Sequence, residues 1–373
     1  MNNENKHGSI FWVTILCVFF SGTYGYVDES VESSAQRKAF CIDFNWGEGG
    51  PNGFAPPGMW ADADPVKHVQ WYADLGANVI QTFAVSSNGF AWYQGGKTVP
   101  PQPGLQHDFL PEMVKLGHER GMKVMGYFCV GANTRWGQLH PDQSYGIPST
   151  FHIPLTTAYL DFLCDSITEA LTLSDMDGFM LDWVWNPTRP DGKWLECEKS
   201  MYKELMGKEF PEHLTNDEQL IYERKAIERA WFRLHATTKK VKQNCILWLS
   251  CYNLLDPTVQ NSRMFKEVDW LMNEAGDLKS IETIRNMAGK DTQLVTCLVG
   301  WGDRHDARAV LSDPQSAGLA IYGFSKPGEN SLPLPIQELL SKPTEAFQGN
   351  DRNIATLARY YNGYPFDFIS EKK

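Results

Sequence analysis

Along the chain, short apolar runs alternate with longer stretches in which apolar residues recur every three or four positions. The short runs read as buried strands and the longer stretches as amphipathic helices. Strands are predicted over residues 39–46, 78–85, 123–130, 178–185, 245–252, 268–274, 293–299 and 318–324. Helices are predicted over 64–75, 108–120, 156–173, 217–242, 278–288, 306–312, 334–340 and 352–361. Asp64-Pro65 supplies an N-cap and a first-turn proline, and Gly121 a C-terminal stop. Eight strands alternating with eight helical segments imply an α/β fold, a closed parallel (β/α)8 TIM barrel with long βα loops. An open doubly wound sheet is the competing architecture. The glycine-rich stretch 47–53 after the first strand lacks GxGxxG spacing and is broken by Pro51, which argues against a dinucleotide fold. Three long connections, 89–106, 133–154 and 186–244, all follow strands. They therefore belong to the C-terminal face, where barrel enzymes build their active sites. Their aromatics, Trp92, Tyr93, Trp136, Tyr145 and Trp194, are expected to wall a cleft.

One strand breaks the apolar rule. Phe179-Met180-Leu181 is apolar on both faces, and Asp182 then interrupts it, followed by Trp183 and Trp185. A carboxylate in such surroundings is costly to bury unless it is paired or used. Other strand ends add polar groups to the same mouth. They are Asp43, Asn45 and Trp46 from strand 1, Gln81 and Ser86 from strand 2, and Tyr127 and Asn133 from strand 3. Strand 4 adds Trp185 and Asn186, strand 5 Ser250, Tyr252 and Asn253, strand 6 Asn273 and Glu274, and the strand 7 loop Trp301, Asp303, Arg304 and His305. Asp182 and Glu274 end strands two apart in a barrel, so they are able to face each other. A facing carboxylate pair is what glycoside hydrolysis requires, one as nucleophile or base and the other as proton donor. Asp303 is the rival proton donor. Asp43, Asn45, Trp46, Tyr127, Trp185, Asn186, Tyr252, Asn253, Trp301, Asp303 and Arg304 are expected to contact substrate. The bland alternatives stay open: Asp182 as a loop-capping carboxylate, and Glu274 as a helix-start residue before Ala275-Gly276-Asp277.

Composition narrows the partners. The 373 residues carry a net charge of -11, which disfavours nucleic acid and anionic membranes. Lys6 and His7 precede an apolar run, 10–20, and then small residues. The run is too short to span a bilayer and reads as a signal peptide over 1–25, so export to the periplasm or the exterior is expected. An uncleaved N-terminal membrane anchor is the alternative. A flexible lead-in over 26–37 is expected to precede the barrel domain, 38–373. Cys41, Cys129, Cys251 and Cys297 sit in apolar strand-like runs and read as small core residues. No CxxC, HExxH, GxSxG or P-loop is present, so no metal and no cofactor is expected.

The stretch 108–127, DFLPEMVK through RGMKVMGY, resembles the second-helix and third-strand segment of retaining barrel glycosidases of the α-L-fucosidase or α-galactosidase kind. Met176 to Trp183 is similar to their fourth strand, where an aspartate is the nucleophile. The resemblance implies that Asp182 has this role in an exported glycoside hydrolase acting on a carbohydrate. Glu274 as acid/base rests on the strand-end argument alone. Ser86-Ser87-Asn88 stands where the fucosidases carry a histidine pair, so glycosidase chemistry is implied and fucose specificity is not. A barrel that binds carbohydrate without cleaving it is the second reading.

Overall fold

The computed structural model describes residues 37–41, 44–45, 55–74, 77–146, 152–184, 189, 192–251, 253–273, 278–299, 314 and 316–322. Eight strands close into one parallel barrel in sequence order. They are β1 (Arg37–Cys41), β2 (Val79–Val85), β3 (Lys123–Cys129), β4 (Gly178–Asp182), β5 (Ile246–Cys251), β6 (Trp270–Asn273), β7 (Gln293–Val299) and β8 (Ser316–Tyr322). The helices of the connections are α1 (Pro65–Asp74), α2 (Phe109–His118), α3 (Thr134–Leu139), α4 (Thr157–Ser174), α5 (Glu196–Met206), α6 (Asn216–Val241), α7 (Met264–Glu267) and α8 (Leu278–Met287). The helices expected over 306–312, 334–340 and 352–361 and the segment 1–36 lie outside the described residues.

The caps read from the sequence form. Asp64 Oδ1 accepts the N–H of Val66 at 2.9 Å, with Pro65 opening α1. Strand ends differ more. The fourth strand stops at Asp182 because Trp183 adopts φ 58°, a left-handed backbone that ends pairing and turns the chain. The first is strand only to Cys41 among the described residues, and Phe44 and Asn45 belong to a turn.

The register decides which residues face inward. Traced from Ala39↔Val79 through Gln81↔Met125, Met125↔Gly178, Met180↔Trp248 and Trp248↔Trp270, one alternating set shares a face. Arg37, two residues before Ala39, lies over the Trp270 ring at 5.0 Å. Their strands are not neighbours, so that contact crosses the interior and the set is the inner one. It includes Phe83, Tyr127, Cys129, Met180, Asp182, Trp248, Ser250, Trp270 and Met272. The alternate residues pack outward on helices, as Phe40 does edge-on against Trp71 of α1 at 4.9 Å. A Cβ on Gly117 of α2 would stand 2.7 Å from the Val124 side chain, so glycine here lets helix and strand close up.

The long-loop aromatics depart from expectation. Trp92 and Tyr93 are fully buried, with Trp92 stacked on Phe44 at 4.0 Å. Trp136 packs on Tyr159 at 4.8 Å, and Trp194 on Phe210 at 4.9 Å. These rings fasten the connections to the barrel or to one another. Amphipathic patterning cannot separate a ring that walls a cleft from one that anchors a loop.

Candidate active site

Asp182 ends β4 on the inner face and is 8% exposed. Among the described residues its carboxylate has two donors. The Tyr127 hydroxyl, from the neighbouring strand β3, gives its proton to Oδ2 at 2.8 Å, and the Trp183 N–H meets Oδ1 at 2.9 Å. The left-handed turn at Trp183 brings that N–H back onto the side chain of the preceding residue. Tyr127 is itself stacked on Phe83 at 4.6 Å, which fixes the ring that carries the hydroxyl. Among the described residues no lysine, arginine or histidine perturbs Asp182. Burial therefore prevails over the two hydrogen bonds and pushes the carboxyl up to about 6.

The surroundings are built by β2 and β3. Cys129 is the register partner of Asp182, and burial followed by the Asp182 charge pushes its thiol up to about 12. It is a thiol at neutral pH. The Ser87 and Tyr127 side chains and the Ala132 backbone are within hydrogen-bonding reach of it. Asn45 is buried and accepts the Ser87 N–H at 2.9 Å, which ties the turn after β1 to the turn after β2. Asn133 caps α3 through the Trp136 N–H at 2.8 Å. Gly131 lets the β3 turn lie against Trp183, where a Cβ would come 2.7 Å from the Trp183 carbonyl. His152 sets its ring edge-on to Trp183 at 5.1 Å, and burial lowers its pKa, so it is neutral.

The residues expected at the site divide clearly. Asp182, Tyr127 and Asn45 come together at the C-terminal end of β2, β3 and β4. Asn253 is exposed, and its Oδ1 accepts the Leu255 N–H at 3.2 Å within a turn. Asp43, Trp46, Trp185, Asn186, Tyr252, Glu274, Trp301, Asp303 and Arg304 lie outside the described residues. Met272, two residues before Glu274, is on the inner face. Cys129 and His152 were not expected at the site. Cys129 reads as core in the sequence, and only its register opposite Asp182 places it there. Cys129, Cys164, Cys197 and Cys245 are free thiols, and among the described residues no group of His, Cys, Asp and Glu is arranged to hold a metal ion.

Residues 64–183, which run from α1 to one residue past Asp182, match the family described as Hypothetical glycosyl hydrolase 6. This segment matches a glycosyl hydrolase family. It holds Tyr127, Cys129 and Asp182 together. No curated protein matches the chain. Among solved structures, α-L-fucosidase isoenzyme 2 from Paenibacillus thiaminolyticus superposes with a TM-score of 0.59 at 17% identity, over 85% of this chain and 50% of its own. The PgaB (BpsB) glycoside hydrolase domain from Bordetella bronchiseptica gives 0.51 at 10% identity, over 77% of this chain and 93% of its own. The β-galactosidase from the psychrophilic Marinomonas ef1 gives 0.50 at 11% identity, over 72% and 52%. This chain thus spans about half the length of the fucosidase it matches. At these identities the likeness is one of fold, and the expected resemblance to barrel glycoside hydrolases is borne out in the family segment and the barrel.

Proposed function

We propose that the protein is a glycosidase that cleaves an O-glycosidic bond of a carbohydrate substrate. Asp182 attacks the anomeric carbon, and Glu274 protonates the leaving oxygen and then activates water. The observation that carries this reading is the state of Asp182. It is a desolvated carboxylate at the C-terminal mouth of a closed barrel, oriented by two donors and, among the described residues, neutralised by no cation. A structural carboxylate in such a place is normally paired. Two hydrogen bonds hold the oxygens in a fixed plane, which suits a nucleophile that must meet one carbon along one line. The glycosyl hydrolase segment and the barrel neighbours support the reaction class. For Glu274, the support is its place in the sequence just after β6, the strand two from β4 in the barrel. Export after removal of 1–25 belongs to the same proposal and rests on the short apolar run over 10–20.

The test is a panel of aryl glycosides offered to the wild type and to Asp182→Asn. Cleavage by the wild type and its loss in the variant are expected. Full turnover by Asp182→Asn contradicts the assignment, and binding of sugars with no cleavage by the wild type favours the non-catalytic barrel. Glu274→Gln and Asp303→Asn compared on good and poor leaving groups separate the two acid/base candidates. The true proton donor is needed most where the leaving group is poor.

A further inference from the structure

We propose that Ser250 is a substrate-contacting residue, its hydroxyl binding a ring hydroxyl of the sugar unit that Asp182 attacks. The inference deepens the glycosidase reading and rests on it. Ser250 belongs to β5, the strand on the other side of β4 from Tyr127. Met180 pairs with Trp248, so one alternation further along the strands Asp182 stands beside Ser250 on the inner face. Strand tilt sorts the inner residues of an eight-stranded barrel into layers drawn from alternate strands. The register assigns Tyr127 of β3 and Ser250 of β5 to one such layer, just beneath Asp182 and on either side of it.

The two flanking hydroxyls are used differently. That of Tyr127 is given to Asp182. That of Ser250 is 1% exposed and has no hydrogen-bond partner. A buried hydroxyl left unpaired costs free energy that an alanine would avoid. Serine at this position is therefore a poor choice for the barrel wall and a good one for a ligand that supplies the missing partner. The remaining neighbours sharpen the point. Ser250 pairs along the wall with Met272, and Met272 with Val295, so among the described residues its register partners on that side are apolar. Trp248 Nε1 is also buried without a partner, but it lies a layer deeper and its ring packs on Trp270 at 5.6 Å. The Ser250 hydroxyl is thus the nearer of the two to Asp182 along the strands. A hydroxyl both donates and accepts, which matches a sugar hydroxyl in either orientation.

The experiment is Ser250→Ala, measured for thermal stability and for kcat/KM on the aryl glycoside that the wild type cleaves best. A melting temperature equal to or above the wild type is expected, because no protein partner is lost. A fall in kcat/KM of about 10-fold or more is expected with it, as for one substrate hydrogen bond that strengthens in the transition state. Substrates lacking one ring hydroxyl at a time then identify the contact, since for one of them wild type and variant become equal. Unchanged kcat/KM overturns the proposal. So does a drop of several degrees in melting temperature that accompanies the loss, since the hydroxyl then has a structural partner. If the wild type cleaves no glycoside, the parent reading fails visibly and this proposal falls with it.

Discussion

Two buried carboxylates lie within one stretch of chain and are treated in opposite ways. Glu198, at the start of α5, is 1% exposed and fully provided for. Arg189 meets its Oε1 with Nε at 2.9 Å and Nη2 at 2.8 Å, and the Leu195 N–H meets Oε2 at 3.0 Å. Arg189 also reaches Glu223 at 3.1 Å and lies 3.5 Å over the Trp194 ring. This cluster fastens α5 to α6, where Tyr202 and Tyr222 share a small separate core. Among the described residues Asp182 has two neutral donors and no cation. Burial alone thus does not mark a functional carboxylate. The mark is burial whose electrostatic cost the protein leaves standing.

The comparison is broken most forcefully at Asp182. Asp182→Asn is expected to lower turnover by on the order of 10⁴-fold, read on any cleaved glycoside. Its stability should move the other way. An unfolded aspartate titrates near 4, and Asp182 near 6, so the folded protein binds the extra proton between those values. Its contribution is most favourable below about pH 4 and is lost as pH rises through about 6, on the order of 2–3 kcal/mol at neutrality. The asparagine variant is expected to melt higher than the wild type at pH 8. Loss of activity together with a lower melting temperature would make Asp182 a structural residue.

Next comes the paired carboxylate. Glu198→Ala leaves Arg189 buried with Glu223 as its remaining anion, and is expected to cost about 3–5 kcal/mol in denaturant unfolding. An effect below about 1 kcal/mol would remove the distinction drawn between the two sites. Tyr127→Phe is smaller. It takes one donor from Asp182, and about a 10-fold loss in kcat/KM is expected, with the acid limb of the pH profile moving upward. A wild-type limb in that variant would show that the hydroxyl does not act on Asp182. The mildest test uses the unaltered protein. Its kcat/KM is expected to fall as pH drops through about 6, where the nucleophile takes up its proton.

Much of the barrel was legible because each βα unit carries its own period. The seventh strand was expected over 293–299 and is found at Gln293–Val299. The fourth was expected to run to Trp185, but a left-handed turn at a tryptophan leaves no trace in hydrophobicity. Asp182 stood out from the sequence as a charge in an apolar run. Its contact with Tyr127 did not, since the two are 55 residues apart and meet only through strand register. The loop aromatics show the opposite limit: Trp92 and Trp136 have the composition of a sugar-binding wall and the burial of anchors. Ser250 is invisible at that level, because an unpaired hydroxyl is a property of its surroundings.

The role of Asp182 is tested most directly by trapping. Incubation with an activated 2-deoxy-2-fluoro glycoside of the preferred sugar slows hydrolysis of a covalent intermediate enough for peptide mass analysis. One glycosyl unit on the peptide that contains Gly178–Asp182, attached to Asp182, is the expected result. A label on any other carboxylate, or hydrolysis of the parent substrate with inversion at the anomeric carbon, would contradict it.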